Sequence, residues 1–254
     1  MDQIGIAPLT SMYFFGPERR AGVDDFRDAV HDSDGLQMVT GEGQRIWRPL
    51  ANPRQPQFSA FQDVGPKGFG LTQRRRDFSH FQDDEARYDL RPSAWVEPLA
   101  DWGEGAVVLV EIPVADEFND NIVAFWRPKA PLRRSKTGRE FAYRLHWSAA
   151  PPDRGSLARV VATRSGRSIH DGDRRAMIVD FRKDGPWPKD LEVEAWTSRG
   201  ELSAIACRSL PETGVMRASF EFAPGDADLV EFQLRLVEDS RPLTETWLYR
   251  WTPR

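Results

Sequence analysis

Apolar and polar residues alternate one for one in a series of short runs toward the C-terminal end of the chain. The runs cover residues 141–147, 191–195, 216–222, 230–236 and 247–251. Successive side chains of a β-strand point to opposite faces, so this alternation is typical of strands with one buried face. Turn-forming residues separate the runs, for example at 183–186 and 224–226. The pattern predicts an immunoglobulin-like β-sandwich without its disulfide, because Cys207 is the chain's only cysteine.

The first part of the sequence is less regularly patterned than the C-terminal part. Residues 1–128 contain long irregular stretches dense in Trp, Phe, Asp and Arg, with clear strand patterns only near 10–15, 106–112 and 121–126. Helical periodicity is weak throughout. Long irregular segments in a folded domain are often functional. We place the domain boundary in the polar, proline-containing stretch 127–134, which predicts an all-β chain with domains at 1–128 and 129–254.

Composition excludes several classes of protein. The 254 residues are 40% hydrophobic and 11% aromatic, which argues against disorder, and the formal net charge of -4 argues against a nucleic-acid partner. No apolar run approaches the ~18 residues of a membrane span, and the first residues lack the pattern of a signal peptide.

Metal and cofactor chemistry also finds no support in the sequence. There is no Gly-x-Ser-x-Gly motif and no phosphate-binding glycine loop. The four histidines, at positions 31, 80, 146 and 170, have no metal-ligand spacing. We therefore predict neither a metal nor a cofactor.

Carboxylates cluster beside aromatic residues at three places, 31–35, 83–91 and 116–121, with tryptophans at positions 47, 95, 102 and 126. Glycoside hydrolysis uses two carboxyl groups, and aromatic faces suit the C–H faces of sugar rings. The composition is thus compatible with a carbohydrate site. Two alternatives remain at this point, since Asp beside Gly or Ser is most often a turn former and most tryptophans lie in cores.

Specific strings narrow these alternatives. They occur in order at 7–12 (APLTSM), 31–35 (HDSDG), 47–50 (WRPL), 68–71 (GFGL), 76–79 (RDFS), 87–96 (RYDLRPSAWV), 109–113 (LVEIP), 119–124 (NDNIVA) and 243–247 (LTETW). Through these strings the chain resembles the C-terminal half of the periplasmic glucan biosynthesis proteins G and D (OpgG/OpgD, MdoG-like).

The resemblance implies a large galactose-mutarotase-like β-sandwich that carries a cleft, followed by the immunoglobulin-like domain. It implies a periplasmic protein of osmoregulated glucan biosynthesis that acts on a β-1,2-glucan backbone, as an inverting glucanase or a transglycosylase. The expected partners are β-1,2-glucan chains and the membrane glucan synthase, and the resemblance also admits a homodimer.

Roles for individual residues follow from the same resemblance. The family's general acid matches Asp120, and its general base, which acts through a water relay, matches Asp32. We assign substrate contacts to six residues of the matched strings: Glu117, Tyr88, Arg91, Trp95, Trp47 and His31.

These roles make physical demands on the two aspartates. Asp120 must stay protonated, which burial beside Phe118 or Trp126 and the like charge of Glu117 would favour. Asp32 must stay ionised, which His31 and the Ser33 hydroxyl would favour.

Family members are twice as long as this chain, so the resemblance implies that the signal peptide and the first half of the catalytic sandwich are missing. A sandwich without half of its strands exposes open edges and uncovered core. Two alternatives to an enzyme therefore remain, a non-catalytic glucan-binding or assembly factor that partners the synthase and an inactive remnant.

Overall fold

The computed structural model describes residues 4–16, 24–131, 138–152 and 155–253. Strands dominate these ranges, and helix is limited to one turn of α-helix, α1 (Phe78–Phe81), and a 3₁₀ turn at Tyr88–Leu90. The predicted all-β fold class is confirmed. None of the described helices is long and apolar enough to cross a membrane.

The chain divides into two compact units, Met1–Arg45 with Leu50–Arg154 and Ile46–Pro49 with Gly155–Arg254. The strands up to residue 148 are β1 (Ile6–Ser11), β2 (Tyr13–Phe15), β3 (Val30–His31), β4 (Gly35–Val39), β5 (Arg45–Pro49), β6 (Gln57–Val64), β7 (Gly68–Thr72), β8 (Ser93–Pro98), β9 (Glu104–Glu111), β10 (Ile122–Pro128) and β11 (Tyr143–Ser148). The later strands are β12 (Arg159–Arg167), β13 (Arg175–Arg182), β14 (Glu192–Thr197), β15 (Leu202–Leu210), β16 (Val215–Phe222), β17 (Val230–Glu238), β18 (Arg241–Pro242) and β19 (Thr246–Trp251).

The first unit contains two antiparallel sheets and a short ribbon. One sheet has the order β1-β10-β9-β6, the other runs β4-β7-β8-β11, and β2 pairs with β3. Strand β10 alternates buried and half-buried residues, and its Trp126 ring packs 6.2 Å from that of Trp102. The loop that contains Asp120 therefore ends at a well-anchored strand.

The second unit is a two-sheet sandwich, as the alternation predicted. One sheet has the order β12-β13-β16-β15, and the other contains β5-β19-β17-β14 with β18 beside β17. Aromatic rings from the two sheets meet in its core, since Phe222 lies 4.6 Å from Phe232 and 5.4 Å from Trp251, centroid to centroid. Burial of such rings is the main source of stability in this unit.

The units divide at different residues from the boundary expected between 128 and 129. Strand β11, assigned in advance to the second domain, pairs along its whole length with β8 in the first unit, for example Leu145 with Val96. Conversely, β5 joins the second unit, where it pairs in parallel with β19 through Trp47 and Trp247. Alternation identifies a strand but carries no information about its partner, which explains both differences. Residues 132–134 of the expected linker lie outside the described residues.

Candidate functional site

Three loops of the first unit bring five of the predicted site residues into one region. Asp32 directly follows β3, and its backbone N–H donates to Met12 O at 2.9 Å. Tyr88 lies in the 3₁₀ turn, with Arg91 immediately after it. Glu117 and Asp120 lie in the loop between β9 and β10. We call residues 115–120 the acid loop and residues 83–91 the tyrosine loop.

Asp32 is the most unusual carboxylate of this region. Its side chain is only 28% exposed, and Oδ1 lies 3.4 Å from Arg91 Nε. Within the described residues, Oδ1 is buried and has no hydrogen-bond partner. Burial raises the pKa of Asp32, Arg91 opposes this effect, and the negative charges of Asp120 and Glu117 raise the pKa further. The charges of Asp120 and Glu117 therefore both act on Asp32.

Asp120 is exposed, unlike the buried group that the acid role led us to expect. The Thr10 hydroxyl donates to Asp120 Oδ2 at 2.7 Å. Phe118 is 84% exposed, and Trp126 lies in the core, so neither ring covers the carboxylate. The residues beside it are exposed as well, including Phe118 and Asn119, and buried Asn121 anchors the end of the acid loop.

Asn121 fixes that end through three backbone contacts. Its amide nitrogen donates to Tyr13 O at 3.0 Å and Ile112 O at 2.9 Å, while its oxygen accepts from Tyr13 N at 2.8 Å. A buried side-chain amide with three partners holds its backbone rigidly. Asp120 thereby projects from a fixed point.

Tyr88 and Arg91 form the other side of the region. The Arg91 guanidinium lies 5.6 Å from the Tyr88 ring centroid and donates to Ala86 O at 3.0 Å. Burial, followed by the charges of Glu117 and Asp32, raises the pKa of Tyr88, so its hydroxyl stays protonated at neutral pH. A protonated phenol and a guanidinium both donate hydrogen bonds, which suits saccharide hydroxyls.

His31 is buried next to this region and does not act as a charged partner of Asp32. Its ring stacks on Tyr13 at 5.2 Å, and Nδ1 lies 3.0 Å from Gln73 Oε1. Burial, followed by neighbouring His80, lowers the pKa of His31 to about 3. The Ser11 hydroxyl donates to Ser33 Oγ at 2.9 Å. The cation beside Asp32 is therefore Arg91, where we expected support from His31 and Ser33.

Comparison with known proteins identifies the family. The family model described as "Periplasmic glucan biosynthesis protein, MdoG" matches residues 1–251. The chain belongs to this family. It is 46% identical, over 99% of its length, to glucans biosynthesis protein G of Vibrio cholerae, and 44% identical, over its whole length, to that of Bradyrhizobium diazoefficiens. These matches cover 47% and 50% of the two relatives, so the chain spans about half their length.

Two of the predicted contacts in this MdoG-family chain lie in packed interiors. Trp47 is 4% exposed and belongs to the core of the second unit. Trp95 is buried in β8, where its ring lies so close to Gly68 that a Cβ there would stand 2.4 Å from the indole. Both side chains are therefore buried, and the Trp95 indole occupies the space that a side chain at position 68 would need.

The two aspartates of the string at residues 31–35 have different environments. The Asp34 carboxylate accepts the backbone N–H groups of Arg74 and Arg75 at 3.1 Å, and so links two segments that are far apart in sequence. Asp32, two positions earlier, accepts no such bond at Oδ1. Asp34 therefore has a structural role, whereas the buried oxygen of Asp32 has no donor among the described residues.

Sequence reasoning missed Arg27 and Thr10, which contact Glu117 and Asp120 respectively. Thr10 lies within a matched string, but Arg27 lies outside all of them, so only its contacts identify it. The described residues include no group of three or more His, Cys, Asp or Glu side chains arranged to hold a metal.

A cavity of about 530 Å³ lies elsewhere in the first unit, and none of the predicted site residues lines it. Its lining includes Arg127 and Lys129, whereas Asp120 lies just before the opposite end of β10. At ~3.3 Å per residue, the length of β10 separates these ends by roughly 20 Å. The acidic region is therefore an open surface built by loops, distinct from this cavity.

Proposed function

We propose that the chain acts in periplasmic glucan biosynthesis, and that its acidic region cleaves or transfers β-1,2-linked glucan. The observation that carries this proposal is the grouping of Asp32 with Asp120 and Glu117, whose charges act on it, in a chain of the MdoG family. A glucan of the periplasm would be both substrate and partner.

In the proposed reaction Asp120 donates a proton to the glycosidic oxygen while water attacks the anomeric carbon from the opposite face. Asp32 receives the proton of that water through a relay, and the anomeric configuration inverts. In transfer, a sugar hydroxyl replaces the water. Glu117, Tyr88 and Arg91 would orient the sugar, and exposure of Asp120 supports access to a bound chain.

The raised pKa of Asp32 supports its role as the base. A general base is most effective when its pKa lies near the working pH, because it then both accepts a proton readily and remains ionised. Burial moves the pKa of Asp32 in this direction, and the charge of Arg91 opposes the shift. The proposal needs no metal at the site.

The test is the reaction of linear β-1,2-glucan with the protein and with Asp120→Asn, followed by mass spectrometry of the released oligosaccharides. We expect the variant to lose about 10²–10⁴-fold in rate, as removal of a general acid does. Asp116→Asn is the matched control, since it removes the same charge from the same loop while an amide oxygen still accepts the Phe118 N–H. Equal rates for Asp120→Asn and the wild type would contradict the proposal.

If the wild type releases nothing but binds the glucan, and Asp120→Asn binds equally well, the non-catalytic binding factor is the correct function. Binding is measured by titration calorimetry with the same glucan. Absence of both release and binding would reject both functions for this chain.

A further inference from the structure

One guanidinium in the first unit contacts carboxylates from three separate segments. Arg27 Nη2 lies 2.6 Å from Glu117 Oε2, Nη1 lies 2.6 Å from Asp83 Oδ2, and Nε and Nη2 contact Asp25 at 3.0 and 2.8 Å. The Arg27 side chain is 13% exposed. We call these four residues the Arg27 clasp.

The contacts of the Arg27 clasp keep the Arg27 guanidinium charged and restrict its orientation. Hydrogen bonding to Asp25 is the largest influence on the pKa of Arg27, and with Glu117 and Asp83 it raises that pKa against the opposing effect of burial. Guanidinium–carboxylate pairs with forked geometry are among the strongest hydrogen bonds in proteins and restrict orientation as well as distance. Because three carboxylates surround this one planar donor, the orientation of the Arg27 side chain is restricted.

Two of these acceptors belong to the loops that form the candidate site. Glu117 lies in the acid loop, three residues before Asp120. Asp83 begins the tyrosine loop, where its Oδ1 accepts the N–H groups of Glu85 at 3.1 Å and Ala86 at 2.7 Å. Arg27 thus joins two loops that are far apart in sequence.

Apart from the contact with Arg27, few interactions hold the middle of the acid loop in place. Phe118 is exposed, as are Asp116, Asn119 and Asp120, so few apolar contacts fix this segment. Its end is held by Asn121, and its centre is held by Glu117 on Arg27. Segments with few buried apolar contacts open locally at low cost, so the contact of Glu117 with Arg27 is a main restraint on the middle of this loop.

We propose that Arg27 is a positioning residue that holds the acid loop, and with it Asp120, against the tyrosine loop; this inference rests on the function proposed above. Arg27 does not touch substrate in this role. It sets the distance between the acid on one loop and the tyrosine and guanidinium on the other. A catalytic group displaced by ~1 Å costs about 10²-fold in rate, so such a tether has a kinetic effect.

The test compares Arg27→Gln and Arg27→Lys with Arg217→Gln, which removes a similarly forked arginine from Asp180 in the second unit. Kinetics on linear β-1,2-glucan are measured well below the melting temperature of every variant. Hydrogen exchange of the backbone amides of both loops is followed by mass spectrometry. The exchange measurement requires no substrate and no activity.

We expect Arg27→Gln to lower kcat by about 10–10²-fold with KM changed less than about threefold, and to speed exchange in both loops. Lysine supplies one point charge in place of a fork, so Arg27→Lys should recover part of the lost kcat. Arg217→Gln should leave the kinetics and the exchange of these loops unchanged.

Unchanged exchange in both loops of Arg27→Gln would overturn the inference whatever the activity. Faster exchange with kcat within twofold of the wild type would also overturn it, since the tether would then not position the acid. If the wild-type chain is inactive on the glucan, the proposed function fails. The exchange data then decide by themselves whether Arg27 holds the loops.

Discussion

Each unit of the protein contains a partly or fully buried aspartate, Asp32 in the first unit and Asp180 in the second. The surroundings of these two side chains shift their pKa values in opposite directions. In the second unit Asp180 is 6% exposed and takes Arg217 at 2.7 and 2.8 Å and Arg164 at 2.7 Å. In the first unit Asp32 has one guanidinium at 3.4 Å and a buried oxygen that no described group donates to. Burial raises the pKa of both, but the two arginines outweigh it at Asp180, whose pKa is lowered, whereas the pKa of Asp32 is raised.

Asp180 is thus a structural carboxylate, whereas Asp32 has an oxygen that can still accept a hydrogen bond. Asp180 joins β12, β13 and β16 through its arginines, and all its interactions are internal. The unsatisfied oxygen of Asp32 costs free energy in the fold, and groups of this kind concentrate at functional sites. The contrast yields predictions in which equivalent substitutions have opposite consequences.

The largest expected effect is on activity. Asp32→Asn should reduce the rate on β-1,2-glucan by about 10²–10⁴-fold, because the proposed base is lost, while Asp180→Asn keeps its activity below its melting temperature. The measurement is the initial rate of oligosaccharide release. Similar losses in both variants would show that stability alone was affected, and would remove the functional contrast.

Stability at neutral pH should change in the opposite order. Asp180→Asn leaves two guanidinium groups without their carboxylate and should lower the free energy of unfolding by about 2 kcal/mol, the range for hydrogen bonds to charged groups. Asp32→Asn should leave stability equal or raise it, since a buried charge is removed. Urea unfolding followed by circular dichroism measures both. Destabilisation by Asp32→Asn as large as that of Asp180→Asn would contradict the comparison.

The pH dependence gives a third, smaller effect with opposite signs at the two sites. A raised folded-state pKa means that stability is full below the ordinary carboxyl value and is lost as pH rises, so the advantage of Asp32→Asn should vanish on acidification. A lowered pKa means that stability is present above the ordinary value and is lost as pH falls, so the Asp180→Asn deficit should also shrink. Unfolding curves at several values between about pH 3 and pH 7 test both signs. In the wild type, acid therefore weakens the Asp180 cluster while it relieves the penalty at Asp32.

The smallest effect on stability is expected for an exposed ion pair, which serves as the reference for the buried aspartates. Lys129 and Glu104 lie 2.8 Å apart on the surface of the first unit. Exposed pairs are screened by water and salt, so Lys129→Ala should leave the melting temperature unchanged within error. A clear loss of stability there would mean that burial is not what distinguishes Asp180.

Much of the fold could be predicted because strand patterning is local. The alternation at 216–222, 230–236 and 247–251 corresponds to β16, β17 and β19, and the strand near 121–126 corresponds to β10. The partners of the strands could not be predicted in this way. The run at 141–147 is a strand as predicted, but its partner, β8, precedes it by about 50 residues and no local pattern indicates that pairing.

The candidate site was predicted in part, and only through the matched strings. They contain Asp32, Asp120, Tyr88 and Arg91, whose roles remain predictions. They also contain Trp47 and Trp95, which the fold places in packed interiors. A string shared with a family reports that a residue is retained, and packing is as good a reason for retention as substrate contact.

The sequence by itself determined the all-β class, the four strands β14, β16, β17 and β19 of the second unit, and the family, since each depends on residues close together or on strings read in order. Only the tertiary structure decided that Arg27 contacts Glu117, a residue 90 positions away, and that Asp32 is left with an unsatisfied oxygen. The physical reason is that the pKa of a carboxylate depends on solvent and charges within a few ångströms in space. Chain folding brings those charges together, and no local pattern records them.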